Sequence, residues 1–194
     1  MAAAAGNSML NRKTDPDKAL VARSKSGDLE AFEELVREHQ RPLFSYLYHM
    51  CRDTADAEEM TQLAFVQAWR GLSGFKGKSS FRTWLYRIAT NLCINRRTRA
   101  RPTVSLSEGL TAPESDQPES AYRDRKREEV VWAALDRLPK DQRSALVLSV
   151  YEEMSYREIA ATLGKSVRAV DSLLFRARTN VRRVLGSARE RGVI

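Results

Sequence analysis

Cysteine and histidine are scarce in this sequence of 194 residues, which contains two of each. Cys51 and Cys93 both lie in apolar patterns of helical spacing, so we expect two reduced, buried thiols. A zinc site needs about four ligands at short, paired spacings, which His39 and His49 do not supply. Gly-rich phosphate loops and nucleophile–base pairs are missing as well. The sequence therefore predicts no metal, no cofactor and no enzymatic activity.

Long apolar runs are also missing. No stretch contains the roughly 18 apolar residues that a membrane-spanning helix requires. The alanine run Ala2–Ala5 is too short to be the apolar core of a signal peptide, and polar residues follow it. We therefore expect a soluble, cytoplasmic protein that inserts into no membrane and takes no small-molecule substrate.

Acidic residues are absent from one long internal stretch, Met60–Ser107, although the chain has 25 of them. The charges in this stretch are all basic: Arg70, Lys76, Lys78, Arg82, Arg87, Arg96, Arg97, Arg99 and Arg101. With a formal net charge of +8, the protein favours an acidic partner, nucleic acid before an anionic membrane. A long segment of a folded region whose charges are all basic indicates a surface that binds the phosphates of a nucleic acid.

Helix signals organise the part of the chain that precedes this stretch. Pro16 is predicted to open a short helix, and Asp28 to cap a second one that runs to about Cys51. Pro42 lies inside the second helix and should kink or divide it. Acidic residues dominate from Asp28 to Glu59, and such a face would repel DNA. It is either an ordinary solvated surface or a face on which a protein partner docks.

The acid-free stretch combines a loop with an amphipathic helix. Three glycines mark the loop, and Ser79 or Ser80 is expected to cap the helix that follows. The apolar stripe of this helix predicts its buried face: Phe81, Trp84, Leu85, Ile88, Ala89 and Leu92. Cationic, amide and hydroxyl groups fall elsewhere on its surface: Arg82, Thr83, Tyr86, Arg87, Asn91, Asn95 and Arg96. Such groups suit unpaired bases, with Phe75 and Tyr86 as the predicted stacking residues.

Two helices joined by a tight turn are predicted between Tyr156 and Arg178. Ser155 and Glu158 can form a capping box at the first helix, and Gly164 can end it in the left-handed conformation. Each helix has an apolar side that can pack against the other helix. The residues on these sides recur at helical spacing: Ile159, Ala160, Leu163, Val167, Val170 and Leu174. This is the pattern of a helix-turn-helix, whose second helix enters the major groove of DNA. The alternative is a helical hairpin that contacts no DNA.

Composition divides the chain into four parts. We expect a tail at residues 1–14, a helical domain at 15–100, a linker at 101–121 and a second helical domain at 122–188. From Thr103 to Ala121 the linker is acidic and rich in Pro, Ser and Thr, so it cannot bury enough apolar surface to fold. The last helix is predicted to end near Leu185. The predicted fold class is all-α, with two small helical domains joined by an acidic, flexible linker.

On three segments the chain resembles a bacterial sigma factor of the extracytoplasmic-function (ECF) group in the sigma-70 family. Asp56–Trp69 is similar to the family's segment that binds core RNA polymerase, and Phe75–Leu92 to the segment that melts the promoter and reads its −10 element. Leu138–Arg178 is similar to the domain that reads the −35 element. The resemblance implies that residues 15–100 are sigma domain 2 and residues 122–188 sigma domain 4. It also implies a stress-response type of regulation, in which an anti-sigma factor holds the protein inactive.

The resemblance implies three sets of contacts. Contacts to the β and β′ subunits of core polymerase fall on Asp56, Glu58, Glu59, Gln62, Leu63 and Gln67. Contacts to the −10 non-template single strand fall on Phe75, Lys76, Lys78, Ser79, Ser80, Arg82, Thr83, Tyr86, Arg87, Asn91, Asn95 and Arg96. Contacts to the −35 duplex fall on Lys165, Ser166, Arg168, Ala169, Ser172, Arg176 and Arg178.

Some positions depart from the family pattern. The pair Gln62-Leu63 stands where a Gln-Glu pair is common, which would alter the polymerase contact without removing it. Asp171 and Leu173 stand where Lys and Arg are usual, and Phe175 where His is frequent. Asp171 would repel phosphate or accept a hydrogen bond from cytosine N4. The apolar surface there implies either a weak or unusual −35 interaction or a cover formed by an inhibitory partner.

Two other functions compete with this interpretation. A stand-alone helix-turn-helix regulator would bind a palindrome as a dimer, but would leave the acid-free stretch and the acidic face unexplained. A metal-dependent enzyme that acts on nucleic acids would need clustered carboxylates facing a basic groove. In this chain the acidic and basic residues are instead segregated.

Overall fold

The computed structural model describes residues 15–99 and 119–190, with side chains at 15–95 and 126–190. Its helices are α1 (Lys18–Lys25), α2 (Leu29–Cys51), α3 (Thr54–Gly71), α4 (Phe81–Arg99), α5 (Glu119–Asp136), α6 (Lys140–Val150), α7 (Tyr156–Leu163) and α8 (Val167–Glu190). A short 3₁₀ turn, Leu72–Gly74, follows α3. The described ranges contain no strand, and the predicted all-α class is confirmed. The predicted tail and almost all of the predicted linker lie outside these ranges.

The helix boundaries in the first half follow local capping chemistry. Asp28 Oδ1 accepts a hydrogen bond from the Ala31 amide at 3.1 Å, which fixes the start of α2 as predicted. Asp53 Oδ1 accepts from the Asp56 amide at 2.7 Å and starts α3 in the same way. Between these two caps, α2 ends at Cys51, and the residue that follows, Arg52, has a φ of 59° in the left-handed region.

Two predicted boundaries were wrong, and the division of α2 that was one predicted alternative at Pro42 does not occur. α1 begins at Lys18 rather than at Pro16, because Asp15 forms a turn whose carbonyl accepts the Lys18 amide at 3.1 Å. α2 is a single helix through Pro42 rather than two, since buried residues on both sides of the proline hold it in the core. α8 continues past Leu185 to Glu190, because Ala188 is still buried.

The helices α1–α4 form an N-terminal unit around one apolar core. Its most deeply buried side chains are Leu35, Leu43, Leu47, Met50, Met60, Phe81 and Leu85. A polar chain crosses this core: Thr90 Oγ1 donates to the Tyr86 carbonyl at 2.7 Å, and the Tyr46 hydroxyl lies 2.8 Å from Thr90 Oγ1. Burial raises the pKa of Tyr46, so its phenol remains the hydrogen-bond donor.

The helices α5–α8 form a C-terminal unit that packs directly on the first one. Its core contains Leu135, Leu138, Val147, Leu148, Ile159, Val170, Leu174 and Ala177. α7 packs against α4, and α6 against α2, so the buried residues of both units join into one cluster. This packing could not be predicted from local sequence patterns, because the contacts join residues far apart in the chain.

Candidate nucleic-acid and protein interfaces

The outer face of α3 carries most of the predicted polymerase contacts. Exposed side chains on this face are Glu58, Glu59, Gln62, Leu63 and Gln67. Asp56, the remaining predicted contact, is half-buried in the first turn of the helix, where the Asp53 cap holds its amide. The structure therefore places the acidic side chains at the start of α3 and the polar and apolar ones along it.

Apolar residues missed in the sequence extend this face. Val66 and Trp69 are 44% and 36% exposed, and Leu29 at the start of α2 is 61% exposed. The Trp69 ring lies 4.8 Å from the Phe32 ring, which ties the patch to α2. α3 is apolar on two sides, so helical spacing alone could not tell which of its apolar residues would be exposed. Exposed large apolar side chains beside acidic ones are typical of a protein-docking surface.

The loop before α4 presents two predicted cations to solvent. Lys76 and Lys78 are exposed on either side of Gly77, whose φ of 64° requires the left-handed region. Phe75 does not project freely: its ring packs 4.8 Å from the Trp84 ring, and its carbonyl accepts a hydrogen bond from Lys25 Nζ at 2.9 Å. Trp84, predicted to be core, is half-buried, so its ring and that of Phe75 form one aromatic surface.

Two predicted DNA contacts serve the start of α4. Ser80 Oγ accepts a hydrogen bond from the Thr83 amide at 3.1 Å, and the two hydroxyl oxygens are 2.9 Å apart. Thr83 is buried by this arrangement. Asp15 Oδ2 accepts from the Phe81 amide at 3.0 Å, so an N-terminal acid also caps α4. Ser79 lies beside this cap and is half-buried.

The remaining predicted contacts on α4 fall on two different faces. Arg87, Asn91 and Asn95 are all exposed and repeat every four residues, so they share one side of the helix. The side chain of Arg96 lies outside the described residues. Arg82 and Tyr86 face the C-terminal unit instead, where they meet Glu152.

Glu152 binds both of these side chains. Arg82 Nη2 donates to the Glu152 carbonyl at 2.8 Å and to its carboxylate at 2.9 Å, and the Tyr86 hydroxyl donates to the same carboxylate oxygen. Tyr86 is 0% exposed, so no base can stack on it in this arrangement. Burial and the Glu152 charge raise the pKa of Tyr86 strongly, which keeps its phenol protonated as a donor.

The predicted helix-turn-helix is present as α7 and α8. Ser155 Oγ accepts from the Glu158 amide at 3.3 Å and Glu158 accepts from the Ser155 amide at 2.8 Å, which completes the capping box. Gly164 has a φ of 64° and ends α7 as predicted. Ser166 Oγ accepts from the Ala169 amide at 3.2 Å, so this predicted DNA contact caps α8.

α8 exposes a mixed surface. Arg168, Ser172 and Arg176 lie on it, with Arg176 Nε donating to the Ser172 carbonyl at 3.2 Å. Asp171 and Phe175 lie among them, and Phe175 is 71% exposed. The other predicted contacts are less available to DNA. Ala169 is half-buried, and Lys165 pairs with Asp141 at 2.8 Å. Arg178 lines a groove together with Leu146.

One group of possible metal ligands occurs in the described ranges. One ligand atom each of Asp17, Glu38 and His39 lie within 4.8 Å of one another. Asp17 Oδ2 and His39 Nε2 already bind each other at 2.8 Å, and both residues are buried, while Glu38 is exposed. This hydrogen bond ties the start of α1 to α2. None of the helices in the described ranges is both long and apolar enough to cross a membrane.

Comparisons with known proteins agree with this geometry. The sigma-70 region 2 family matches residues 35–103, and the sigma-70 region 4 family matches residues 128–181. The RNA polymerase sigma-H factor of Pseudomonas aeruginosa is 35% identical over 88% of this chain and 94% of the relative. The ECF RNA polymerase sigma-E factor of Escherichia coli K12 is 34% identical over 84% of this chain and 90% of the relative. The solved structure of CnrH in complex with the cytosolic domain of CnrY is similar, with a TM-score of 0.69 and 29% identity over 88% of this chain and 97% of that one.

Two regions of the sigma-70 type, one in each helical unit, define the class of the protein: a transcription initiation factor. Within that class, the chain belongs to the ECF RNA polymerase sigma factors.

Proposed function

We propose that this protein binds core RNA polymerase and directs it to a set of promoters. It reads the −35 element as duplex and the −10 element as non-template single strand, and it contributes binding and strand separation rather than catalysis. Such a protein acts in the cytoplasm, where core polymerase is found. The observation that carries the proposal is the segregation of exposed side chains: acidic and apolar ones lie on α3, whereas cationic and amide ones lie on the loop before α4 and on α4 itself.

The face of α3 suits a protein rather than DNA. Glu58 and Glu59 are exposed at its start, and Leu63, Val66 and Trp69 provide an apolar surface along it. Carboxylates repel phosphates, whereas exposed apolar side chains release water when a protein covers them. We assign this face to core polymerase.

The loop and α4 suit a single strand. Lys76 and Lys78 offer cations at the loop, and Arg87, Asn91 and Asn95 continue the polar surface along α4. The Phe75–Trp84 ring pair lies beside them. Cations that follow a backbone, next to aromatic rings, bind unpaired bases through phosphate attraction and stacking. The contacts made with a flipped base would offset the few kcal/mol of stacking that the base loses when it leaves the duplex.

The outer side of α8 suits duplex DNA. Arg168, Ser172 and Arg176 can reach base edges and phosphates from a helix in the major groove. Asp171 adds an acceptor that favours cytosine over guanine at its position. The large exposed area of Phe175 leaves room for an inhibitory partner as well. CnrH was solved with the cytosolic domain of another protein, and we infer that an anti-sigma factor similarly binds this chain.

Run-off transcription tests the proposed function directly. Purified core RNA polymerase would be combined with this protein on a library of genomic promoter fragments. We expect discrete new transcripts whose upstream sequences share both promoter elements. Core binding without transcripts would indicate an incomplete sigma factor, and duplex binding without core binding would favour a stand-alone regulator.

Charge reversal tests the assignment of the α3 face. Glu58→Lys with Glu59→Lys should weaken binding to core polymerase by at least tenfold, because two carboxylates at the edge of the interface become cations. The matched control is Glu129→Lys with Glu190→Lys, which makes the same change of charge at exposed positions of the C-terminal unit. Binding would be measured by fluorescence anisotropy at two salt concentrations. Equal affinities for the two double variants would refute the assignment.

A further inference from the structure

Arg82 and Tyr86 form an anion site on the inner face of α4. A guanidinium and a phenol hydroxyl both donate to one oxygen, and the Arg82–carboxylate distance is 2.9 Å. The carbon of the Arg82 guanidinium also lies 5.3 Å from the Tyr86 ring centroid. The same donors fit a phosphate oxygen as well as they fit a carboxylate oxygen.

The anion that fills this site belongs to the other unit of the same chain. Glu152 lies in the turn between α6 and α7, 70 positions from Arg82, and its side chain is 5% exposed. The turn is fixed in place: the Met154 amide donates to the Leu148 carbonyl at 3.0 Å, and the Met154 side chain is buried. Glu152 is therefore held in the site by the fold of the C-terminal unit.

Charge complementarity extends around the site. A groove of about 1660 Å³ runs between the two units. Its wall in the N-terminal unit carries Lys18, Lys25, Lys76 and Lys78 together with Asp15 and Asp17, and its wall in the C-terminal unit carries Glu152, Glu153 and Glu158. An acidic wall thus faces the part of the protein that we assign to the promoter strand.

We propose that Glu152 blocks, in the free protein, an anion site that takes a backbone phosphate of the promoter strand once the two units separate. The inference rests on the proposed function and adds a regulation to it. The closed protein leaves Arg87, Asn91 and Asn95 exposed, but Arg82 and Tyr86 donate their hydrogen bonds to Glu152. Free protein therefore binds the strand weakly, because only the fraction of molecules with separated units offers the whole site.

Aromatic contacts close the other side of the interface. The His49 ring lies 3.9 Å from the Tyr151 ring and 5.1 Å from the Trp132 ring. The Arg52 guanidinium carbon lies 5.0 Å from the Trp132 ring centroid. These contacts hold the turn that carries Glu152 against the N-terminal unit. A change of charge at Glu152 alone should thus weaken the closed arrangement without unfolding either unit.

The test compares strand binding by full-length variants. The probe is a fluorescein-labelled single-stranded oligodeoxynucleotide with the non-template −10 sequence of a promoter mapped by run-off transcription. Glu152→Gln keeps the shape of the side chain and removes its charge, so we expect about tenfold tighter binding measured by anisotropy. Glu153→Gln is the matched control: it makes the same change at an exposed neighbour, and we expect less than about a twofold effect.

A double variant separates the site from general electrostatics. Adding Arg82→Gln to Glu152→Gln should remove the gain, because the freed site then lacks its guanidinium. Equal oligonucleotide affinity of wild type and Glu152→Gln, or an equal gain in Glu153→Gln, would overturn the inference.

A measurement on the wild-type protein guards against a variant that fails to fold. Hydrogen exchange would be followed at the turn residues 151–155 with and without the oligonucleotide. We expect faster exchange when the oligonucleotide displaces the turn, and unchanged exchange at saturation would overturn the inference. The two failures are distinguishable, because failure of the proposed function would appear first, as the absence of run-off transcripts with the wild-type protein.

Discussion

Arg143 is the side chain on which the packing of the two units depends most. Arg143 is only 1% exposed. Its guanidinium donates hydrogen bonds to the Leu135 carbonyl at 2.9 Å, to the Met50 carbonyl at 3.0 Å and to the Asp136 carboxylate. Leu135 and Asp136 end α5, whereas Met50 lies in the last turn of α2. One cation thus joins the carbonyl ends of two helices from different units, where the helix dipoles favour positive charge.

Replacing Arg143 by Met should lower the free energy of unfolding by about 2–4 kcal/mol. The apolar stem is kept, so little packing is lost, but two carbonyls lose their donor at about 1–3 kcal/mol each when buried. The lost ion pair adds little, because the Asp136 side chain is 39% exposed and Arg52 still pairs with it at 3.2 Å. The variant also no longer has to bury a charged guanidinium, which is itself unfavourable. The expected loss of stability is therefore smaller than the sum of the two lost carbonyl hydrogen bonds.

Urea denaturation followed by circular dichroism measures this change. The matched control is Arg137→Met, the same substitution at an exposed position after α5, which should cost less than about 0.5 kcal/mol. Because Arg143 joins the units, its loss should also lower the slope of the transition, as one cooperative unfolding becomes two. A loss below about 1 kcal/mol, or one equal to that of the control, would refute the role given to Arg143.

Three further predictions concern single substitutions. Glu153 has a φ of 51°, so Glu153→Gly should raise stability by about 1 kcal/mol in thermal unfolding, whereas Glu153→Ala, which keeps the unfavourable conformation, should not. Ser155→Ala removes the capping box of α7 and should cost about 0.5–2 kcal/mol; a loss confined to experimental error would show that the cap is dispensable. Arg168→Ala and Arg176→Ala should each weaken binding to the −35 duplex by about 1–3 kcal/mol if they contact bases, while an equal loss on every sequence, measured by anisotropy, would mark phosphate contacts instead.

Local chemistry explains why much of the fold could be predicted. Ser155, Glu158 and Gly164 act within one or two turns of their own helix, so their spacing in the sequence determines their hydrogen bonds. The same holds for the Asp28 and Asp53 caps. Pro42 shows the limit of local reasoning: its missing donor favours a break, but the buried residues around it keep α2 as one helix.

The candidate sites depend more on contacts between distant residues. Tyr86 has an aromatic ring on which a base could stack. The ring is nevertheless buried by the core of its own unit and by Glu152 from the other unit. From its sequence position, Thr83 could equally contact a DNA strand. In the structure, however, the amide and the hydroxyl of Thr83 both bind the Ser80 hydroxyl that caps α4. Val66 and Trp69 were missed for the opposite reason, because an apolar residue on a helix with two apolar sides is expected to be buried. Burial of this kind follows from tertiary packing and leaves no periodic signal.

The placement of Glu152 couples strand binding to polymerase binding by ordinary thermodynamics. Any partner that holds the two units apart removes Glu152 from Arg82 and so makes the anion site available. Linkage makes this effect reciprocal: a bound strand must favour the same partner by the same factor. A core polymerase that holds the units apart and the promoter strand would therefore strengthen each other's binding, although we assign them to different faces of the N-terminal unit. A partner that bridges the closed groove would instead stabilise the Glu152 contact and weaken both, which is the behaviour expected of an inhibitor.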